Sequence, residues 1–233
     1  MKARKVKKLD PAETLAENAG RIVLVRIDEL RGFAAEALEP DASATQHAMR
    51  IAAKRLRYVL EATGFCFGRP AKTARCRSED LQDLLGEIHD CDVMLPRVID
   101  HRRALRRADA EAVRARAGDD PDLDPKLAAR APHRTSYRGL DVLEVYLRAR
   151  RSLLFDRFIE LWAETEQRGV WAALVRAAER EIARAEETRR AAARAERARE
   201  ELAEAERRRI AAAEQAERAA AELAEAEADA DGG

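Results

Sequence analysis

Aromatic residues are scarce in this chain, at 4% of 233 residues, and there are only three cysteines and seven prolines. The strands of β-sandwiches and barrels favour aromatic and β-branched residues, so this scarcity excludes an all-β architecture. Charged residues reach 38%, and the abundant Glu, Arg, Ala and Leu are good helix formers. The composition therefore predicts an all-α protein. The length of 233 residues allows one ordinary domain and an appendage, or two very small domains.

Long apolar runs are also missing. No stretch of about 18 apolar residues occurs, so no membrane-spanning helix is expected. The basic start of the chain, MKARKVKKLD, is not followed by the apolar stretch of a signal peptide. Cys66, Cys76 and Cys91 are too few and too unevenly spaced for a disulfide framework or a zinc site. We therefore expect a cytoplasmic protein with reduced cysteines and with no metal, cofactor or membrane partner.

Proline, glycine and helix-capping residues divide the chain into four helices and a tail. The pair Asp10-Pro11 is a typical helix start, with the proline in the first helical position. Pro96 should kink the third helix, and residues 118–136, rich in Pro, Asp and Gly, are predicted to be a mobile linker. Residues 1–169 should thus form a four-helix bundle. The four predicted helices cover about residues 10–38, 43–64, 78–117 and 137–167.

The tail, residues 170–233, is almost entirely Ala, Glu and Arg and contains no proline. From Arg176 onward it carries 12 basic and 16 acidic residues, although the 44 basic and 44 acidic residues of the whole chain cancel. We expect one long helix that acts as an interaction arm. It is either a weak coiled coil or a solvated single helix held by Glu–Arg pairs. The heptad positions a and d are Ala195, Ala198, Leu202, Ala205, Arg209, Ala212, Ala216, Ala219, Leu223 and Ala226.

The second predicted helix contains HAMRIAAKRLRYVL at residues 47–60 and is amphipathic. No acidic residue interrupts its polar face before Glu61. A solvated face usually alternates charges to gain pairs at four-residue spacing. This face is therefore either a merely solvated basic surface or a site for an anion. Its members are His47, Arg50, Lys54, Arg57 and Tyr58, with Arg55 at the margin.

Single charged residues lie on the core-facing stripes of the other three helices. They are Arg26 in the first, Asp92 in the third and Arg151 in the fourth. A buried charge needs a partner, and two arginines do not balance one aspartate. Either Asp92 pairs with one arginine while the other reaches solvent, or a cationic interior is completed by a bound polyanion.

The segment HAMRIAAKRLRYVLE, followed by LQDLLGEIHDCDVML, resembles the CHAD family, the conserved histidine α-helical domain. The second segment holds the pattern Leu-Leu-Gly-Glu-x-x-Asp-x-Asp-Val from Leu84 to Val93. The later sequence LRARRSLLFDRFIELW, residues 147–162, is similar to the family's arginine-rich helix. Together these motifs cover about residues 9–168, in the family's order and spacing.

The resemblance implies an all-helical domain that binds inorganic polyphosphate through basic residues lining a groove or pore between helices. Some members of the family accompany a triphosphate-tunnel domain, and others are targeted to polyphosphate granules, which is the place that we expect in the cytoplasm. Arg151 matches the later arginine-rich helix, and we add Arg26 and the basic cluster from Lys2 to Lys8 on physical grounds. The residues that match the family's basic helix are His47, Arg50, Lys54, Arg55 and Arg57.

The family usually contains two helical units, each with its own basic helix. This chain resembles a short form with one recognisable unit, and no second His-x-x-Arg segment occurs. Either half a site suffices, or two chains associate and rebuild the double bundle. We expect the second arrangement, a homodimer in which the Ala-rich tail helps association.

Other functions use the same features. Nucleic acid could bind the same basic face, where Tyr58 is the one aromatic residue, and the tail could make the chain a helical scaffold. Metal chelation by His47, His89, Asp90 and Asp92 is disfavoured because these residues lie on different helices. An enzyme is not expected, since no phosphate-cradling glycine loop and no Ser/His/Asp signature is present.

Overall fold

The computed structural model describes residues 2–119 and 121–231, with side chains described outside 221–231. Every regular element in these ranges is helical, which confirms the all-α prediction. None of these helices is both long and apolar enough to cross a membrane. The helices are α1 (Leu15–Arg31), α2 (Ala34–Ala37), α3 (Ser43–Thr63), α4 (Arg69–Ala117), α5 (Pro125–Ala129), α6 (Ser136–Gln167) and α7 (Val170–Asp231), with a 3₁₀ turn at Gly64–Cys66.

Helix α1 begins later than the sequence predicts. Thr14 is its N-cap, and the Thr14 hydroxyl accepts a hydrogen bond of 3.3 Å from the amide of Glu17. The Glu17 carboxylate in turn accepts one of 3.3 Å from the amide of Thr14. This reciprocal capping box satisfies two amides that no helix carbonyl reaches. The predicted start at Asp10-Pro11 was wrong, because Asp10 instead accepts from the amide of Ala12 in a preceding turn.

Helix α4 begins earlier than predicted, at Arg69 rather than Ser78. The proline that we assigned to a loop, Pro70, lies in its first turn, where the missing amide hydrogen costs nothing. Ser78 is buried inside the helix, and its hydroxyl donates to the carbonyl of Ala74 at 2.8 Å. The helix continues through Pro96 to Ala117.

The hydrophobic core forms where α3 and α6 pack against α4 and where α1 packs against α3. Ion pairs between α4 and α6 join Arg77 to Glu164 at one end and Arg102 to Glu144 at the other, so these helices are antiparallel. The largest fully buried apolar side chains are Trp171, Phe158, Leu30, Met49, Leu56, Leu81, Leu85, Ile88 and Leu174.

The start of α7 belongs to the core. Gly169 joins α6 to α7 with a φ of +63°, which suits glycine best. This turn brings the rings of Trp162 and Trp171 to a centroid distance of 6.2 Å. The chain divides into two compact units, the first ending at Ile182 and the second beginning at Ala183. The tail that we drew from residue 170 therefore starts with buried residues of the first unit.

The predicted linker contains a short helix, α5, capped by Asp124. Beside it, the buried carboxylate of Asp109 accepts from the backbone amide of His133 at 3.1 Å and from the Tyr137 hydroxyl. Burial alone raises the pKa of Asp109, but these hydrogen bonds outweigh it and lower the pKa. Asp109 thus ties residues 133–137 to α4. Asp120 lies outside the described residues, and mobility of 118–136 stays a prediction.

The second unit, from Ala183, continues as helix α7. All side chains from Glu187 to Ala220 are exposed, and Glu204 pairs with Arg208 at 2.6 Å across one turn. Such pairs stabilise a solvated helix by ~0.2–0.5 kcal/mol each. The heptad residue Leu202 is 72% exposed, while Leu223 and Ala226 lie outside the described side chains. A coiled coil and a single helix both remain predictions for this unit.

Candidate anion-binding site

Helix α3 has the two faces that the sequence predicts. Its apolar residues Met49, Ala52, Ala53, Leu56 and Leu60 are buried in the core. The cationic residues lie half-buried on the other side, and Tyr58 is exposed. No acidic residue lies in the first turn of α3. The cationic side chains therefore lie at the edge of the hydrophobic core and are not part of it.

The cationic row of α3 runs along α4 in antiparallel register. At one end the rings of His47 and His89 lie 4.2 Å apart. At the other end Arg57 donates to the side-chain oxygen of Gln82 at 3.1 Å. Side chains three or four residues apart share one face of a helix. Successive residues on this face of α3 therefore lie opposite successive residues on one face of α4. We call this contact between α3 and α4 the groove. His47, Arg50 and Arg57 contact α4 along it, and Lys54 follows Arg50 one turn later on α3.

Arg57 is neutralised within the chain. Its guanidinium lies 3.0 Å from a carboxylate oxygen of Glu61 and 3.6 Å from one of Glu79. It also lies 4.7 Å from the centroid of the Tyr58 ring. Two carboxylates at this end of the groove would repel a phosphate polymer, so Arg57 is a poor candidate for direct phosphate binding.

Arg26 and Arg55 meet at one buried carboxylate. Glu29 is 1% exposed, and its two oxygens bind Arg26 and, at 2.8 Å, Arg55. Arg26 also donates to the carbonyl of Arg4 at 2.7 Å, and Arg4 itself pairs with Asp28. This cluster anchors the N-terminal segment to α1. Arg26 therefore has a carboxylate partner within the chain, and its part in binding a polyanion stays a prediction.

Arg151 pairs with Asp92, as one of the two alternatives for Asp92 requires. Its Nε donates to Asp92 at 2.7 Å, and its Nη2 donates to the side-chain oxygen of Gln46 at 2.9 Å. Gln46 is itself buried and donates to the carbonyl of Glu39 at 2.9 Å. These bonds tie α6 to α4 and to the start of α3, which leaves Arg151 little freedom to bind a ligand.

Three of the seven predicted residues keep their charge or their hydrogen-bonding capacity. Over the described part of the chain, no ion pair within 4.0 Å involves His47, Arg50 or Lys54. Arg50 Nε and His47 Nδ1 are buried and have no hydrogen-bonding partner. Lys54 Nζ lies 5.6 Å from the centroid of the Tyr58 ring. A buried nitrogen without a partner is costly unless a ligand completes it.

Gly86 on α4 makes room for the Arg50 guanidinium. A Cβ atom at this position would lie 3.3 Å from Arg50 Nε and 3.8 Å from Nη2. Glycine in the middle of a helix costs about 0.5–1 kcal/mol relative to alanine. The guanidinium of Arg50 occupies the space beside Gly86, which explains why a residue without a side chain suits this position.

The imidazole of His47 is mostly neutral near pH 7. Burial lowers the pKa of His47 below its ordinary 6.5, and the neighbouring His89 and Arg50 lower it further. An anion placed between these groups would favour the protonated ring and raise the pKa again. Among the residues that the structure describes, no three His, Cys, Asp or Glu side chains are grouped to hold a metal.

Sequence reasoning did not assign to the anion site four residues that shape it: Glu29, Gln46, Gly86 and His89, of which His89 was weighed only as a metal ligand. Glu29 had a signal, because it lies three residues after Arg26 on the same helix, a spacing at which side chains meet. Gly86 and His89 are part of the motif that carries the resemblance, but only the register of α4 on α3 shows which residues they face.

Residues 2–99, from the N-terminal segment to the middle of α4, match the family model of the CHAD domain. The match contains His47, Arg50, Lys54, Gly86 and His89, and it ends before the arginine-rich part of α6. Comparisons with curated proteins and with solved structures give no match. The match supports assigning residues 2–99, which include the groove between α3 and α4, to the CHAD domain family.

Proposed function

We propose that this protein binds inorganic polyphosphate in the groove between α3 and α4, at the end that holds His47 and Arg50. The CHAD domain is known in polyphosphate-related proteins, and the matched residues include this groove. The observation that carries the proposal is local. Arg50 lies over Gly86, and its buried Nε has no hydrogen-bonding partner. The buried Nδ1 of His47, one turn earlier on α3, has no partner either.

The chemistry of these side chains suits a phosphate chain. Arg50 can donate two parallel hydrogen bonds to phosphate oxygens, and Lys54, four residues further along α3, adds a mobile point charge. The acidic residues at the Arg57 end limit the polymer to the other half of the groove.

A polymer with about one charge per phosphate binds mainly by displacing counterions, so its affinity falls steeply with salt. Titration of the protein with long-chain polyphosphate at two salt concentrations measures this dependence. We expect the double substitution Arg50→Glu and Lys54→Glu to abolish binding at both concentrations. Circular dichroism of the variant checks that the helices remain.

A matched control separates this site from general electrostatics. Arg107 and Arg114 are exposed on α4 and have no ion pair among the described residues. Replacing both by Glu changes the net charge by the same four units. We expect the control pair to retain binding within about threefold, since screened charges outside the groove contribute little. Equal weakening by both pairs would mean that no specific groove exists.

One feature favours single-stranded RNA as a second candidate ligand. Tyr58 is half exposed between Lys54 and Arg57, and an aromatic ring flanked by cations can stack on a base. Competition between polyphosphate and a single-stranded RNA of equal charge distinguishes the two. If Tyr58→Ala weakens RNA binding but leaves polyphosphate binding unchanged, then the ring serves only RNA.

We propose a binding protein and not an enzyme, located in the cytoplasm at polyphosphate granules. Incubation with polyphosphate followed by measurement of chain length and free phosphate tests the first part. Imaging of the tagged protein in cells with and without polyphosphate tests the second, and the Arg50→Glu, Lys54→Glu variant should lose the granule signal.

A further inference from the structure

Helix α6 carries an apolar stripe on the side that faces away from the core. We call Val142, Val145, Tyr146, Ala149 and Leu153 the α6 stripe. Its four large residues are between 56% and 67% exposed. Four members follow one another at steps of four, three and four residues, which is the spacing of a helix–helix seam. An exposed apolar patch of this kind marks a contact with another protein surface.

The stripe lies opposite the face of α6 that packs on the bundle. Leu147, Leu154, Phe155 and Phe158 are buried against the core, about half a turn around the helix from the stripe. The stripe is therefore not a loosely packed part of the same core. Only a surface other than this core can cover the stripe.

The charges around the stripe point to a particular partner. Most of them are already paired within the chain: Asp141 with Arg102, Arg148 with Glu144 and Arg150 with Glu87. Among the exposed charges that have no ion pair in the described residues, Arg138 and Asp156 lie at the two ends of the stripe. They are 18 residues apart, which is about five helical turns and 27 Å, so they lie on the same flank of α6.

This arrangement is complementary to itself. The midpoint between Arg138 and Asp156 is residue 147, and the stripe from Val142 to Leu153 is centred at the same place. If a second α6 packs antiparallel about that centre, each Arg138 meets the Asp156 of the other chain, and stripe packs on stripe. A parallel pair would instead bring Arg138 to Arg138 and Asp156 to Asp156, which is repulsive.

We infer that the α6 stripe is the surface through which two copies of this chain associate, with their α6 helices antiparallel. The interface is isologous, as expected for a two-fold dimer. Glu160, one turn beyond Asp156, then comes opposite the segment that contains Arg134 of the second copy. This association does not depend on polyphosphate, and it assigns to α6 the role that the sequence suggested for the tail.

Sedimentation equilibrium without polyphosphate tests the dimer. The mass of the wild-type chain should rise with concentration from 26.1 kDa toward twice that value. The variant Tyr146→Lys, Leu153→Lys should stay monomeric. Both residues are exposed, so the helix content and melting temperature of the variant should be unchanged.

The tail provides the matched control. Leu202 and Ile210 are exposed large residues of α7, and replacing both by Lys should leave the dimer intact. If the wild type is monomeric at all concentrations, or if the tail variant becomes monomeric while the α6 variant still associates, the inference is wrong.

Charge exchange tests the antiparallel register. Arg138→Asp and Asp156→Arg should each weaken self-association, because each places like charges together at both ends. An equimolar mixture of the two variants restores both opposite-charge contacts, and its dimer should be about threefold to tenfold tighter than either variant alone. Equal affinities in the mixture and in the separate variants would overturn the antiparallel arrangement.

Discussion

The two ends of the α3 groove differ although the same helix supplies the cations to both. At one end Arg57 faces Gln82 and lies within reach of Glu61 and Glu79. At the other end Arg50 faces Gly86, which has no side chain, and His47 faces another histidine. Carboxylates within reach, Glu61 on α3 and Glu79 on α4, separate the arginine that is paired within the chain from Arg50, which has none.

A single substitution should lower the free energy of unfolding where it breaks an ion pair and should leave it nearly unchanged where the cation is unpaired. The largest effect should come from Glu29→Gln, which leaves Arg26 with a poorer partner in a buried place. Breaking a buried ion pair from one side costs about 3 kcal/mol. Urea unfolding should show this loss.

Arg50→Gln provides the contrast, because Arg50 has no ion pair to lose. Its free energy of unfolding should stay within about 0.5 kcal/mol of the wild type. If both variants unfold equally easily, the distinction between structural and available arginines does not hold.

A carboxylate introduced opposite Arg50 should convert the open end of the groove into a paired end. Gly86→Asp places an acidic group beside the guanidinium, and polyphosphate affinity should fall at least tenfold, or about 1.4 kcal/mol. Gly86→Asn has nearly the same size without the charge and should stay within about threefold of the wild type. Isothermal titration of both variants makes the comparison, and an equal loss in both would show that space and not charge matters.

The smallest effect should be a pH dependence at the His47 end. The pKa of His47 lies below 6.5 in the free protein, and a bound anion raises it. Binding is therefore accompanied by proton uptake, and the affinity for polyphosphate should rise as the pH falls. The effect should be a few-fold and should disappear in His47→Gln. No change of affinity between pH 7.5 and 5.5 in the wild type would exclude a role for this ring.

The same shift affects stability with the opposite sign. A histidine whose pKa is lowered by folding contributes fully to stability above its unfolded pKa of about 6.5, and this contribution declines as pH falls. Binding titrations at low pH therefore need a parallel unfolding measurement. The binding constant can be compared across pH values only where the protein remains folded.

Part of the fold was predictable because it depends on local order along the chain. The apolar spacing of Met49, Ala52, Leu56 and Leu60 set the buried face of α3 correctly. The helix starts were harder to predict. Both Asp10 and Thr14 can cap a helix, and the reciprocal bonds with Glu17 favour Thr14. A proline such as Pro70 suits both a loop and a first helical turn.

The candidate site was predictable only in outline. His47, Arg50 and Lys54 keep the properties for which they were selected, whereas Arg26, Arg55, Arg57 and Arg151 have carboxylate partners. Two of these ion pairs, Arg55–Glu29 and Arg151–Asp92, join different helices, and the periodicity of one helix does not resolve them. The pairs Arg26–Glu29 and Arg57–Glu61 lie at three- and four-residue spacing within one helix. The sequence left two alternatives for Asp92, and the register of α6 on α4 selects Arg151.

The order of amino acids by itself determined that the chain is helical, which side of each helix is apolar, and that α3 concentrates positive charge. Tertiary structure decided which of these positive charges meet a carboxylate of another helix and which face none. The reason is that electrostatic energy depends on the distance between charges in space. The distances across a contact between two helices follow from the register in which they pack, and the residue order within one helix does not specify that register.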